Sequence, residues 1–156
     1  MEFLTVGEMA TNFETQKHIN TVRRVMLRFM HELEARADDH DMSKLERPEV
    51  TGFENITKSL GGLTYGSPEY RQALRWEKPT IDHHYAMNRH HPEHFGEGVS
   101  GMNLIDVVEM LCDWLAATER HDDGDIWKSL EVNRARFGIS DQLMQVLSNT
   151  VRFLQK

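Results

Sequence analysis

The sequence predicts an all-α fold, a single-domain bundle of about six or seven helices spanning residues 1–156. Three observations carry that expectation. Apolar residues recur at three-and-four spacing over long stretches, prolines and glycines punctuate those stretches at helix-length intervals, and no run alternates with the period of two that a strand requires.

The first predicted helix runs from Asn12 to about Ala37, where Ile19, Val22, Val25, Met26, Phe29, Met30 and Leu33 make one apolar face and Arg23, Arg24, Arg28 and Glu32 much of the other. A short helix is expected from His40 to Leu45, ending before Pro48, because a proline pushes its preceding residue out of the helical region. Another runs from Gly52 to Leu60 and stops at Gly61-Gly62, and GGLTYGSP reads as a loop. Pro68 opens a helix reaching Glu77, and Pro79 opens one that must end at or before His91, since Pro92 follows. After PEHFGEGVSG the pattern predicts a helix from Met102 to about Arg120, followed by an HDDGD turn. A further helix is expected from Ile126 to Phe137, closed by Gly138. Ser140 then caps the last helix, Asp141 to Leu154.

With 39% hydrophobic and 28% charged residues, the chain has the composition of a globular protein. A single cysteine, Cys112, excludes an internal disulfide framework and suits a reducing compartment. The opening MEFLTVGEMA lacks the features of a signal peptide and no apolar run is long enough to span a membrane, so a cytoplasmic location is expected. A net charge of −7 repels a phosphate backbone, which argues against stable nucleic-acid binding but not against a small phosphorylated ligand beside a cation. Assembly into a homo-oligomer is left open.

Chemistry concentrates in four places. In MNLIDVVEMLCDWLAA apolar residues surround the helix, yet Asp106, Glu109 and Asp113 fall in line at i, i+3 and i+7. Buried carboxylates need a cation, whether arginine or metal. In HDMSK, His40 and Asp41 offer an imidazole nitrogen and a harder oxygen, a pair that suits Fe, Mn, Co, Ni or Zn. Adjacent side chains can reach one ion only where the backbone presents both inward, as a short or distorted helix does. In HHYAMNRHHPEH, five histidines stand within residues 83–94, with His83 two helical turns from His90 and His84 two turns from His91. One pair can face inward while the other lies behind it or at the surface. His18 sits among Ile19, Val22 and Val25 on the first helix.

Taken in chain order, His18, His40-Asp41, the histidine cluster and Asp106 resemble the ligand order of the HD-domain superfamily of metal-dependent phosphohydrolases. HDMSK resembles its HD-x-G-K box, with Ser43 in place of the glycine. RHHPEHFGEG resembles the HHE…G stretch of two-metal members, with Pro92 inserted before Glu93. LIDVVEML resembles the later helix that carries the last metal ligand. The resemblance spans roughly residues 14–118, and the wording HHPE followed by EMLCDW also resembles an uncharacterised bacterial and phage family. It implies an HD-like helical bundle that hydrolyses a phosphate ester in a nucleotide or similar small phosphorylated substrate. One ion would be held by His18, His40, Asp41 and Asp106, and a second by His84 and His91. Lys44 would neutralise a phosphate oxygen or anchor Asp41, and Glu109 would orient a ligand or move a proton. His83, His90, Arg89 and Asp113 would stand behind the ligands or meet the substrate. The short gap between the histidine pairs leaves open which of His83 and His84, and which of His90 and His91, binds. Two rival readings share the ligand set: a di-iron HD-type oxygenase, and a non-enzymatic helical module stabilised by metal.

Overall fold

A computed structural model describes residues 3–60, 68–120 and 124–155, which form seven α-helices and three short 3₁₀ turns, with no strand among the described residues. Residues 61–67 of the expected GGLTYGSP loop and residues 121–123 of the HDDGD turn lie outside them. The chain divides into two compact units, Met1–Asp38 and Asp39–Lys156.

The first unit is essentially α1 (Val6–Asp39). It begins earlier than expected because Thr5 and Glu8 form a reciprocal cap: the Thr5 backbone N–H donates to Glu8 Oε2 at 2.7 Å and the Glu8 N–H to Thr5 Oγ1 at 3.3 Å. The helical period is as the sequence predicts, but no residue of α1 is buried. Ile19, Val22, Val25, Met26, Phe29 and Met30 are between 42% and 62% exposed. Periodicity fixed which residues share a face, and it carries no information on whether anything covers that face.

The second unit holds the other elements: a 3₁₀ turn (Met42–Leu45), α2 (Glu49–Leu60), α3 (Pro68–Trp76), α4 (Lys78–Met87), two 3₁₀ turns (Pro92–His94 and Gly98–Gly101), α5 (Leu104–Glu119), α6 (Ile126–Phe137) and α7 (Asp141–Leu154). Side-chain caps fix the later boundaries. Asn103 and Asp106 form a capping box at the start of α5, Asp125 accepts from the Trp127 and Lys128 N–H groups, and Ser140 accepts from Leu143 N–H. Gly138 closes α6 with φ 62°, the left-handed conformation that favours glycine. Helix α2 approaches α4 closely at Gly52, where a Cβ would overlap the Thr80 side chain.

One departure from expectation and one boundary within it matter for the site. The short 40–45 helix is a 3₁₀ turn entered through a left-handed residue, Asp41. Helix α4 ends at Met87 and does not continue to His91. Pro92 holds His91 extended (φ −91°, ψ 125°), and Asn88 is already extended, so His90 and His91 leave the helix on a turn.

Burial within this unit is partitioned by chemistry. Among the described residues the buried apolar ones are Met110, Leu111 and Trp114 of α5, Ile126 and Leu130 of α6, Ile139, and Met144, Leu147 and Val151 of α7. Trp114 also stacks with Phe137 at 6.2 Å between ring centroids. The buried polar residues are Glu49, His84, Asn88, His90 and Asp106, all earlier in the chain. An apolar three-helix core therefore abuts a polar one. No helix among the described residues is long and apolar enough to cross a membrane.

Gly52→Ala should destabilise the protein by about 1–3 kcal/mol, because the added methyl must displace a β-branched side chain between two helices. Urea unfolding of the two proteins, read by far-ultraviolet circular dichroism, checks it.

Candidate metal centre

Asp41 stands at the middle of the polar core with φ 58° and ψ 11°. Aspartate is among the few residues besides glycine that adopt this conformation at modest strain. The turn answers the problem raised by HDMSK. In a regular helix adjacent side chains diverge, whereas here His40 Nε2 lies 3.6 Å from Asp41 Oδ2 and both side chains enter one cluster. Lys44, one 3₁₀ turn on, donates to Asp41 Oδ2 at 2.6 Å and lies over the Phe53 ring. Burial pushes the Asp41 carboxyl up, but the Lys44 hydrogen bond and charge, together with the nearby His40 and His84, outweigh it and hold the group below the usual carboxylate range.

Three imidazoles converge on Asp41 from α4 and the turn after it. His84 Nε2 and His90 Nε2 lie 3.4 Å and 3.6 Å from Asp41 Oδ1, and His91 Nε2 lies 2.9 Å from His84 Nε2. His84 and His90 are almost completely buried. Burial depresses the basicity of both His84 and His91, the latter to a pKa of about 3, so these rings are neutral near pH 7 and carry a free lone pair.

Two carboxylates behind the rings decide where that lone pair points. Glu49 faces His83 Nδ1 through Oε1 and His84 Nδ1 through Oε2, both at 2.8 Å. Glu109 Oε1 faces His40 Nδ1 at 3.0 Å and His90 Nδ1 at 3.1 Å. An ionised carboxylate only accepts, so each Nδ1 carries the proton, which in the neutral ring leaves Nε2 as the nitrogen with the lone pair. At His84 the Asn88 amide also approaches Nδ1, but Ser43 Oγ at 2.8 Å and the His84 carbonyl at 2.9 Å take its two protons. Burial alone would raise the Glu49 carboxyl, yet its bonds from His83, His84 and Ser43 lower it below the usual range.

Bare imidazole nitrogens thus face a carboxylate, an arrangement that repels unless a cation lies between them. Asp41 Oδ1 and His90 Nε2 are buried with no hydrogen-bond partner, and leaving such groups unsatisfied costs about 1–3 kcal/mol each. Two overlapping sets of donors surround these atoms: Asp41, His84, His90 and His91, and His40, Asp41, His90 and Asp113, with the donor atoms of each set within 4.8 Å of one another. The donors fit a divalent ion. Imidazole-rich sets suit Fe, Co, Ni or Zn better than Mg or Ca, which prefer all-oxygen shells. Among the described residues, then, the second unit contains a buried His/Asp cluster able to chelate a metal ion.

The expected site residues distribute as follows. His40, Asp41, His84, His90, His91 and Asp113 supply the converging donors, so both members of the later histidine pair point inward. Lys44 anchors Asp41, Glu109 orients two imidazoles, and His83 is bound by Glu49 on the outer side. Asp106, expected as the last ligand, belongs to neither set. Arg89 donates to both its oxygens at 3.0 Å and the Asn103 N–H donates to Oδ2 at 2.9 Å, which compensates its full burial and ties the histidine turn to α5. His18 is exposed on α1 in the other unit and is in neither set. Sequence reasoning missed Glu49, Ser43 and Asn88. Glu49 is one of 25 acidic residues and its only local signal is its place at the first turn of α2, just after Pro48.

A transition ion such as Co(II) at about 100 times its dissociation constant should stabilise the wild type by about 2.7 kcal/mol. Asp41→Ala and His90→Ala should lose that shift, and differential scanning fluorimetry with and without ion checks it.

No curated protein and no solved structure matches the chain. A family match covers residues 7–153, which takes in both units and every residue of the cluster. The chain belongs to the family of unknown function DUF5662.

Proposed function

We propose that the protein is a metal-dependent phosphohydrolase acting on a nucleotide or similar small phosphorylated molecule. The observation that carries the reading is the pair of buried atoms, Asp41 Oδ1 and His90 Nε2, left without hydrogen-bond partners where bare imidazole nitrogens converge. Its likeness to the HD superfamily supports the choice of reaction.

A divalent ion bound there supplies Lewis acidity, lowering the pKa of water toward about 7 and drawing charge from phosphoryl oxygens. In this reading Asp41, His84, His90 and His91 hold it, with His40 and Asp113 offering a second position that shares Asp41. Lys44, only partly buried, keeps Asp41 ionised and gives an incoming phosphate a cation at the edge of the cluster. His40 and Asp113 each retain about 30% exposure of their side chains, so one side of the cluster reaches solvent while His84 and His90 close the other. That asymmetry favours a site with an open position over a purely structural one. The reaction forms a bond from water oxygen to phosphorus and breaks the bond from phosphorus to the ester oxygen. The leaving alkoxide takes up the proton that the water gives off.

The overlap of the two donor sets, which share Asp41 and His90, also favours a second reading, a di-iron oxygenase whose irons these residues would hold. Oxygen uptake by the Fe(II)-loaded protein would distinguish it.

Purified protein should contain a transition metal by elemental analysis and release phosphate from at least one member of a nucleotide panel supplemented with Mn, Co, Ni, Fe or Mg. Chelation should stop the release, and Asp41→Asn should lower it on the order of a hundredfold or more. Metal-loaded protein with no turnover on the whole panel would remove the hydrolase reading.

A further inference from the structure

We infer that Glu49 is a positioning residue that sets the metal affinity of the cluster by holding His84 in the tautomer able to bind. The inference rests on the reading of the cluster as a metal centre. Glu49 is completely buried and touches none of the converging donor atoms itself. Its two oxygens are divided: Oε1 accepts from His83 Nδ1, and Oε2 accepts from His84 Nδ1 and from Ser43 Oγ at 2.9 Å. Asn88 completes the chain by donating to Ser43 Oγ, so the Ser43 proton is turned toward Glu49. Every donor around the carboxylate is thereby directed at an oxygen.

This division makes the carboxylate irreplaceable by its amide. Glutamine has one accepting oxygen and one donating NH₂ group, whereas two imidazole N–H groups on opposite oxygens need two acceptors. Whichever ring meets the NH₂ must shift its proton from Nδ1 to Nε2. If that ring is His84, its Nε2 no longer has a lone pair for an ion. Glu109 differs, because a single oxygen, Oε1, faces both His40 and His90. An amide oxygen at that one position serves both rings.

The test is Co(II) binding to the full chain, followed by visible absorption and competition with a chromogenic chelator, with apo-protein melting as the control for folding. Glu49→Gln should weaken binding about 10–100-fold with little change in the apo melting temperature, and Glu109→Gln should weaken it less. His83→Leu in the Glu49→Gln background should recover most of the loss, since the amide oxygen is then free to face His84. His83→Leu alone should bind like the wild type; a large loss there would make His83 a ligand and overturn the inference. Wild-type affinity in Glu49→Gln, or no recovery in the double variant, would overturn it as well while leaving the metal centre standing. Failure of the wild type to bind Co(II) would remove the metal centre itself.

Discussion

Lone pairs aimed at a carboxylate repel, and the polar half of the second unit is organised around that repulsion. Asp41 is held ionised by Lys44, and His40, His84 and His90 are turned by Glu109 and Glu49 so that their unprotonated nitrogens face it. The surrounding hydrogen bonds are otherwise well matched, which isolates the mismatch at the centre. In a protein interior an unmatched group of this kind is more expensive than the average hydrogen bond is favourable. A cation removes the mismatch for every member of the cluster at once.

The division of the core follows from the same constraint. Residues 110–151 supply the buried hydrophobic cluster, while the turn at His40 and the histidine turn meet α5 through polar groups, and α2 meets α4 through Glu49, His83 and His84. Helix α5 belongs to both halves. Met110, Leu111 and Trp114 face the apolar core, and Asp106, Glu109 and Asp113 face Arg89 and the imidazoles. The salt bridge from Arg89 to Asp106 pins the turn carrying His90 and His91, so two of the ring positions are inherited from a rigid helix. The acidic stripe therefore has three uses: Asp106 tethers, Glu109 orients, and Asp113 offers an oxygen to the cluster.

The helices were legible because their signals are local. Ser140, Gly138 and the apolar spacing of α6 and α7 place boundaries that the structure keeps. The clustering of His40 and Asp41 with the later histidines was legible from residue type and density. Less accessible was anything set by backbone direction. The i, i+7 pairing of His84 with His91 assumed one continuous helix, but the two rings meet because the chain turns back before Pro92. Asp106 illustrates a related point, since spacing identifies a face without saying whether an arginine or an ion compensates it, and here Arg89 pairs with it. Glu49 could not be singled out, because a buried glutamate and an exposed one look alike in a sequence. The apolar stripe of α1 marks the same boundary: its period is plain, and its exposure is not.

The left-handed backbone at Asp41 also fixes how the protein can change over generations. Any residue but glycine at φ 58° adds strain of about 1–2 kcal/mol, eased somewhat for aspartate. Glycine at position 41 would relieve both the strain and the buried, unpartnered oxygen. Selection for heat resistance alone would thus favour a substitution that erases the centre of the cluster. Backbone stability and the capacity to bind a metal make opposite demands on this one position.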